Sequence, residues 1–169
     1  MKLEFGAGSD PYPVNTYPIR PYAAEVLPQA FSEPECLVTV LEAERTFWEK
    51  ATLVHAEYHR PAEKLSPSRI SRHYYDLYQM AESESGRRAR ADRLLLQRVV
   101  QHKQVYFHSG WAHYETAATG GLHLCPSETR RNELARDFEQ MRDMIFGPAP
   151  PFQEILTKLE ELENEINGK

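Results

Sequence analysis

The strongest periodicity along the chain is helical. Ala43, Phe47, Ala51, Val54 and Tyr58 fall on one stripe when drawn at about 100° per residue, predicting a helix over Ala43 to His59. Pro61 stops it, because a proline ring cannot follow a helical carbonyl ladder. A second helix is predicted over Ile70 to Glu84, with Ile70, Tyr74, Leu77 and Ala81 as its apolar stripe and Gly86 marking its end. A third is predicted over Arg87 to Gln104. The aromatic stretch Tyr106 to Tyr114 then reads equally as helix continuation or loop, and Thr119, Gly120 and Gly121 turn the chain. Ser127 before Glu128 reads as the N-cap of a helix to Phe146, and Gly147, Pro148, Pro150 and Pro151 set it apart from a last helix, Phe152 to Ile166. Strand character is confined to Met1 to Phe5 and to Cys36 to Leu41 (C-L-V-T-V-L), with a Pro-rich loop between them. The expected fold class is α+β, mostly α: a helical bundle with a small N-terminal strand component.

Composition supports a folded domain. Of 169 residues 41% are hydrophobic and 27% charged, enough for a core and incompatible with disorder. Cys36 and Cys125 fit no metal-ligand spacing and read as reduced thiols. No apolar run approaches the roughly 20 residues that span a bilayer, so the expectation is a soluble, cytoplasmic protein without membrane contact. The net charge of −5 hides an asymmetry: 12 Lys and Arg against 7 Asp and Glu from Arg45 to Lys103, and 10 acids against 6 bases from Glu128 to Lys169. A basic middle suits a nucleotide or RNA partner, and solvated helix faces produce similar counts.

Several residues carry candidate chemistry. Lys50 lies about 60° from the centre of the first apolar stripe. Burying an unpaired ammonium is expensive, so either its stem packs on the core while the amine reaches water, or the amine points into a pocket to bind phosphate. On the second helix Arg72 and Asp76 are four apart and can pair, with His73 beside them. Tyr74, Tyr75 and Tyr78 read as core or as a face that stacks a base. His55 and His59 have the spacing of a zinc-protease helix, but that motif needs Glu directly after the first His, and position 56 is Ala. The stretch Gly6 to Asp10 reads as a turn, since it lacks the spacing and lysine of a phosphate loop. Arg87, Arg88, Arg90, Arg93 and Arg98 form either a solvated face or an RNA-facing ridge.

R-T-F-W-E-K-A from Arg45 to Ala51, followed by S-R-H-Y-Y-D-L-Y from Ser71 to Tyr78, closely resembles the C-terminal part of the AbiEii/AbiGii abortive-infection toxins. These are nucleotidyltransferase-fold proteins of bacterial type IV toxin-antitoxin systems. The resemblance runs from M-K-L-E-F-G at the start, through I-R-P-Y, to M-R-D-M-I-F-G and F-Q-E-I-L near the end. It implies that Lys50 is a catalytic residue binding nucleotide or phosphate and that Asp76 is the catalytic acid of the D-L motif. The family often has a further acid three residues earlier, where this chain has His73. Arg72 and His73 are then the nucleotide-binding neighbours, and Glu4 resembles the acid near the metal site. The implied cofactors are an NTP and Mg²⁺. The implied partners are a nucleotide, tRNA as acceptor and a cognate antitoxin; separately, a raw edge strand at Leu3 to Phe5 invites pairing with a second copy of the chain.

One family feature is missing: the chain has no D-x-D, the paired carboxylates that hold magnesium. Without them phosphoryl-transfer charge is not stabilised, so the chain is expected to be inactive alone. The expected organisation is residues 1–41 as a remnant of the nucleotidyltransferase sheet with a Pro-rich loop and 42–169 as the C-terminal helical domain, in a truncated or degenerate toxin. The alternative is a non-catalytic helical module that binds an antitoxin or itself. A third reading is an RNA-binding helical domain with no nucleotide site.

Overall fold

The computed structural model describes residue 8 and residues 10–169. The expected strand Met1 to Phe5, and Glu4 with it, lie outside the described residues. The chain forms two compact units, residues 1–42 and 43–169. As expected it is α+β and mostly helical, with one two-stranded sheet among the described residues.

In the first unit β1 (Val14–Ile19) pairs antiparallel with β2 (Cys36–Leu41), in a register that sets Val14 opposite Leu41 and Ile19 opposite Cys36. β2 has the bounds expected from its β-branched run. β1 corrects the Pro-rich-loop expectation: V-N-T-Y-P-I contains Pro18, yet a strand hydrogen-bonded on one side tolerates a residue with no N–H. A short helix, α1 (Tyr22–Val26), lies in the connection.

The second unit is built around α2 (Ala43–Tyr58), which packs against α3 (Ser71–Ala81), α4 (Glu84–Ala91), α5 (Arg93–Tyr106) and the single turn α6 (Tyr114–Ala117). α3 is flanked in turn by α7 (Arg131–Gln140) and α8 (Phe152–Asn167). Because neighbours surround α2, it is buried well beyond one stripe: Phe47, Trp48, Ala51, Thr52, Val54 and His55 are all fully buried, whereas Ala43 is exposed. The Trp48 indole N–H donates to the Ala89 carbonyl at 3.0 Å, tying α2 to α4. The α3 stripe is as expected, with Ile70, Tyr74, Leu77 and Ala81 all buried. Tyr74 is therefore core and not part of a stacking face. Each such side chain contributes about 1.5–3 kcal/mol by leaving water.

Three boundaries differ from expectation. Gly86 does not end the second helix; it lies in the first turn of α4, where a Cβ would come within 1.9 Å of the Met80 carbonyl oxygen. The expected third helix is two, because Ser83 caps α4 and the Asp92 side chain caps α5 by accepting from the Leu95 N–H at 2.9 Å. Ser127 makes no capping bond. Glu128–Arg130 form a 3₁₀ turn, α7 ends at Gln140, and a second 3₁₀ turn spans Arg142–Met144. The buried Arg130 guanidinium explains the tight entry: it donates to Pro61 O at 2.8 Å, Lys64 O at 2.7 Å and Ser66 Oγ at 2.6 Å, holding the 61–66 loop against this turn.

The start of α3 bears directly on the site. Its first N–H groups lack helical partners, and Asp137 of α7 supplies one: the carboxylate accepts from Arg69 N at 2.7 Å, Ser71 N at 2.9 Å and Ser71 Oγ at 2.5 Å. Arg69 takes the left-handed conformation there, with φ 62°.

Candidate functional site

Lys50 and Asp76, 26 residues apart, meet. The Lys50 Nζ donates to Asp76 Oδ2 at 2.6 Å, with side chains 22% and 38% exposed. The apolar stripe of α2 turns Lys50 toward α3, and the buried Ile70–Tyr74–Leu77–Ala81 stripe turns Asp76 back toward α2. The amine thus neither snorkels freely nor waits unpaired in a pocket. This also corrects the expected Arg72–Asp76 pair, since Arg72 is exposed and its Nε donates instead to His73 Nε2 at 3.4 Å. The i,i+4 spacing was available, and the tertiary partner won.

Lys50 and His73 line a cavity of about 680 Å³, together with Lys103, Arg60, Glu49 and Trp111 among others. Burial, helped by the neighbouring Lys50 and Arg72 charges, pushes His73 down to about 4. The imidazole is therefore neutral near pH 7, and its Nδ1 is buried with no hydrogen-bond partner. Lys103, on α5, is buried; it donates to the Glu49 carbonyl at 2.8 Å and meets Glu49 Oε2 at 3.2 Å. Burial lowers its pKa and the Glu49 carboxylate opposes that shift. Arg60 is clamped by Glu57, Nε to Oε2 and Nη2 to Oε1 both at 2.6 Å.

Lys103, Arg60 and Trp111 are residues that sequence reasoning missed. Lys103 was detectable, because it continues the Leu96–Val99–Val100 face of α5 at helical spacing and so had to be buried with a partner. Trp111 lies in a loop, where no periodicity points to it.

The expected arginine ridge is divided between α4 and α5. Arg87 donates to Glu82 O, Arg88 to Glu44 and Glu84, Arg90 to Glu165 and Ala81 O, and Arg93 to Ile166 O.

A cluster not anticipated from sequence gathers His55, His59, His113 and His123, with ring centroids 4.8 Å apart for His55–His59 and His59–His113. His55 is fully buried: its Nδ1 accepts from the His123 N–H at 3.1 Å, so Nε2 carries the proton to the His113 carbonyl at 3.0 Å. Burial pushes His55 down to about 4. Among the described residues no group of three His, Cys, Asp or Glu could hold a metal. Asp76 is paired with Lys50, and Glu4 lies outside the described residues. Among those residues no helix is long and apolar enough to cross a membrane.

The cavity thus combines three paired cations, Lys50, Arg60 and Lys103, with the carboxylates Glu49 and Glu57 and several aromatic rings. The family model for the nucleotidyl transferase AbiEii toxin of type IV toxin-antitoxin systems matches residues 1–158. The chain belongs to the AbiEii family. No curated protein and no solved structure matches it.

Proposed function

We propose that residues 43–169 form the nucleotide-binding wall of an AbiEii-type nucleotidyltransferase toxin, with Lys50 and Asp76 at its centre. The observation that carries this reading is the 2.6 Å contact between them, with Lys50 at the edge of a cavity where its carboxylate partner is the most exposed of the three that hold a cation. A phosphate is a stronger partner for an ammonium than a half-exposed carboxylate, so Lys50 exchanges Asp76 for the NTP phosphate. Asp76, released, accepts a hydrogen bond from the acceptor hydroxyl or returns to hold the lysine. Neutral His73 and the guanidinium of Arg72 flank the phosphate. The absence of a D-x-D means that transfer is not expected from this chain alone. The acceptor, tRNA, and the cognate antitoxin are proposed on the family resemblance only. Residues 1–41 are proposed as the remnant of the nucleotidyltransferase sheet.

The test is thermal unfolding with an NTP and Mg²⁺. Stabilisation that disappears in Lys50→Ala and persists in Asp76→Asn, which removes only the competing carboxylate, supports the reading, and an unchanged melting temperature in the unsubstituted protein rejects it.

One observation favours the alternative of an interaction module that binds an antitoxin or a second copy. The two-stranded sheet leaves Val14, Ile19, Leu37 and Val38 exposed, whereas an isolated two-stranded sheet is only marginally stable. A strictly monomeric mass by light scattering at high concentration counts against self-association.

A further inference from the structure

The lining of the 680 Å³ cavity includes cations paired with carboxylates, Lys103 with Glu49 and Arg60 with Glu57, and a group of aromatic rings. Lys50, Lys103 and His73 come from α2, α5 and α3, while Phe107, Trp111 and Tyr114 come from the segment after α5. The other tryptophan, Trp48, fills the core with 0% exposure. Trp111 is only partly buried and Phe107 is 53% exposed. Two cations lie over the Trp111 ring, the Arg60 guanidinium 4.7 Å from its centroid and the Lys64 Nζ 5.6 Å away. Both oxygens of the buried Glu57 hold Arg60 in place, so its plane is fixed before any ligand arrives. A cavity of this volume accommodates a nucleotide. Flat aromatic and guanidinium surfaces are what an unpaired base stacks on.

We propose that Trp111, with Arg60 stacked on it, is the platform for a nucleobase whose phosphate is held at Lys50. This rests on the proposed function for the phosphate and extends it to the base. The base belongs either to the NTP or to an unpaired 3′ end of the acceptor RNA, since both present the same π-face.

Tryptophan fluorescence tests this directly, because the only other tryptophan is the core residue Trp48. The full chain is titrated with an NTP and Mg²⁺, with inorganic triphosphate and Mg²⁺, and with the trinucleotide CpCpA, while the melting temperature is followed in parallel. The proposal predicts quenching by the NTP or by CpCpA, none by triphosphate, and none by any probe in Trp111→Phe, which retains Trp48. Quenching by the NTP assigns the platform to the donor base, and quenching by CpCpA alone assigns it to the acceptor. Trp111→Ala should weaken binding of the quenching probe roughly ten-fold while Trp111→Phe stays within about three-fold, as stacking loss predicts. An NTP that raises the melting temperature through Lys50 without any probe quenching overturns the platform and leaves the phosphate reading standing. Quenching by CpCpA with no NTP stabilisation overturns the phosphate reading and leaves the platform. No quenching and no stabilisation overturns both.

Discussion

Lys50, Lys103 and the carboxylate Glu49 differ sharply in what their loss should cost. The Lys50–Asp76 pair is partly exposed, so Lys50→Ala should lower stability by less than about 1 kcal/mol in urea unfolding. Lys103 is buried against Glu49, which also accepts from Arg45 at 2.9 Å. Glu49→Ala leaves two buried cations without that carboxylate and should cost about 3 kcal/mol, whereas Lys103→Met, which removes one buried charge and keeps the volume, should cost less. Equal losses in Lys50→Ala and Glu49→Ala would contradict the burial difference. What was legible at this scale came in halves. The resemblance singled out Lys50 and Asp76, but their contact spans 26 residues, and spacing alone offered Asp76 only its helical neighbour Arg72. The histidine cluster was equally hidden, because His113 and His123 reach α2 from irregular segments that carry no period.

Among the elements, α3 matters most, because it holds Arg72, His73 and Asp76 and its start depends on a residue of another helix. Asp137→Ala removes three accepted hydrogen bonds and should cost about 1–2 kcal/mol. If α3 positions Arg72 and His73 against the phosphate, the same variant should also weaken nucleotide-dependent stabilisation; a loss of stability with undiminished nucleotide response would show that the cap is only structural. Where the period was strong, as in α2, α3 and α8, the helices were legible from sequence to within three residues. Where it was weak, chemistry from elsewhere in the fold decided. Asp92 and Ser83 divide one basic run into two helices, Arg130 tightens the entry to α7, and β1 is a strand whose prolines disguised it.

For the whole molecule, the two units and the buried histidines give separate expectations. His55 has a folded pKa of about 4 against an ordinary 6.5, so the folded state binds fewer protons than the unfolded state between those values. Its contribution is complete above about pH 6.5 and disappears as the pH falls toward 4, a loss of roughly 3 kcal/mol. His73 shifts in the same direction. Urea midpoints should therefore fall across this window, and His55→Asn should flatten the dependence; a midpoint constant from pH 7 to pH 4.5 would contradict it. Residues 43–169 contain every residue of the hydrophobic core cluster, so that segment expressed alone should keep its helical circular dichroism and unfold cooperatively.

Whether Lys50 exchanges Asp76 for a nucleotide phosphate is read from the melting temperature with and without an NTP and Mg²⁺. At a ligand concentration about 100 times its dissociation constant, stabilisation of about 2.7 kcal/mol should raise the melting temperature by about 5 °C or more. Lys50→Ala should fold with nearly the same melting temperature and lose the rise. An equal rise in the intact chain and in Lys50→Ala, or no rise in either, would contradict the claim.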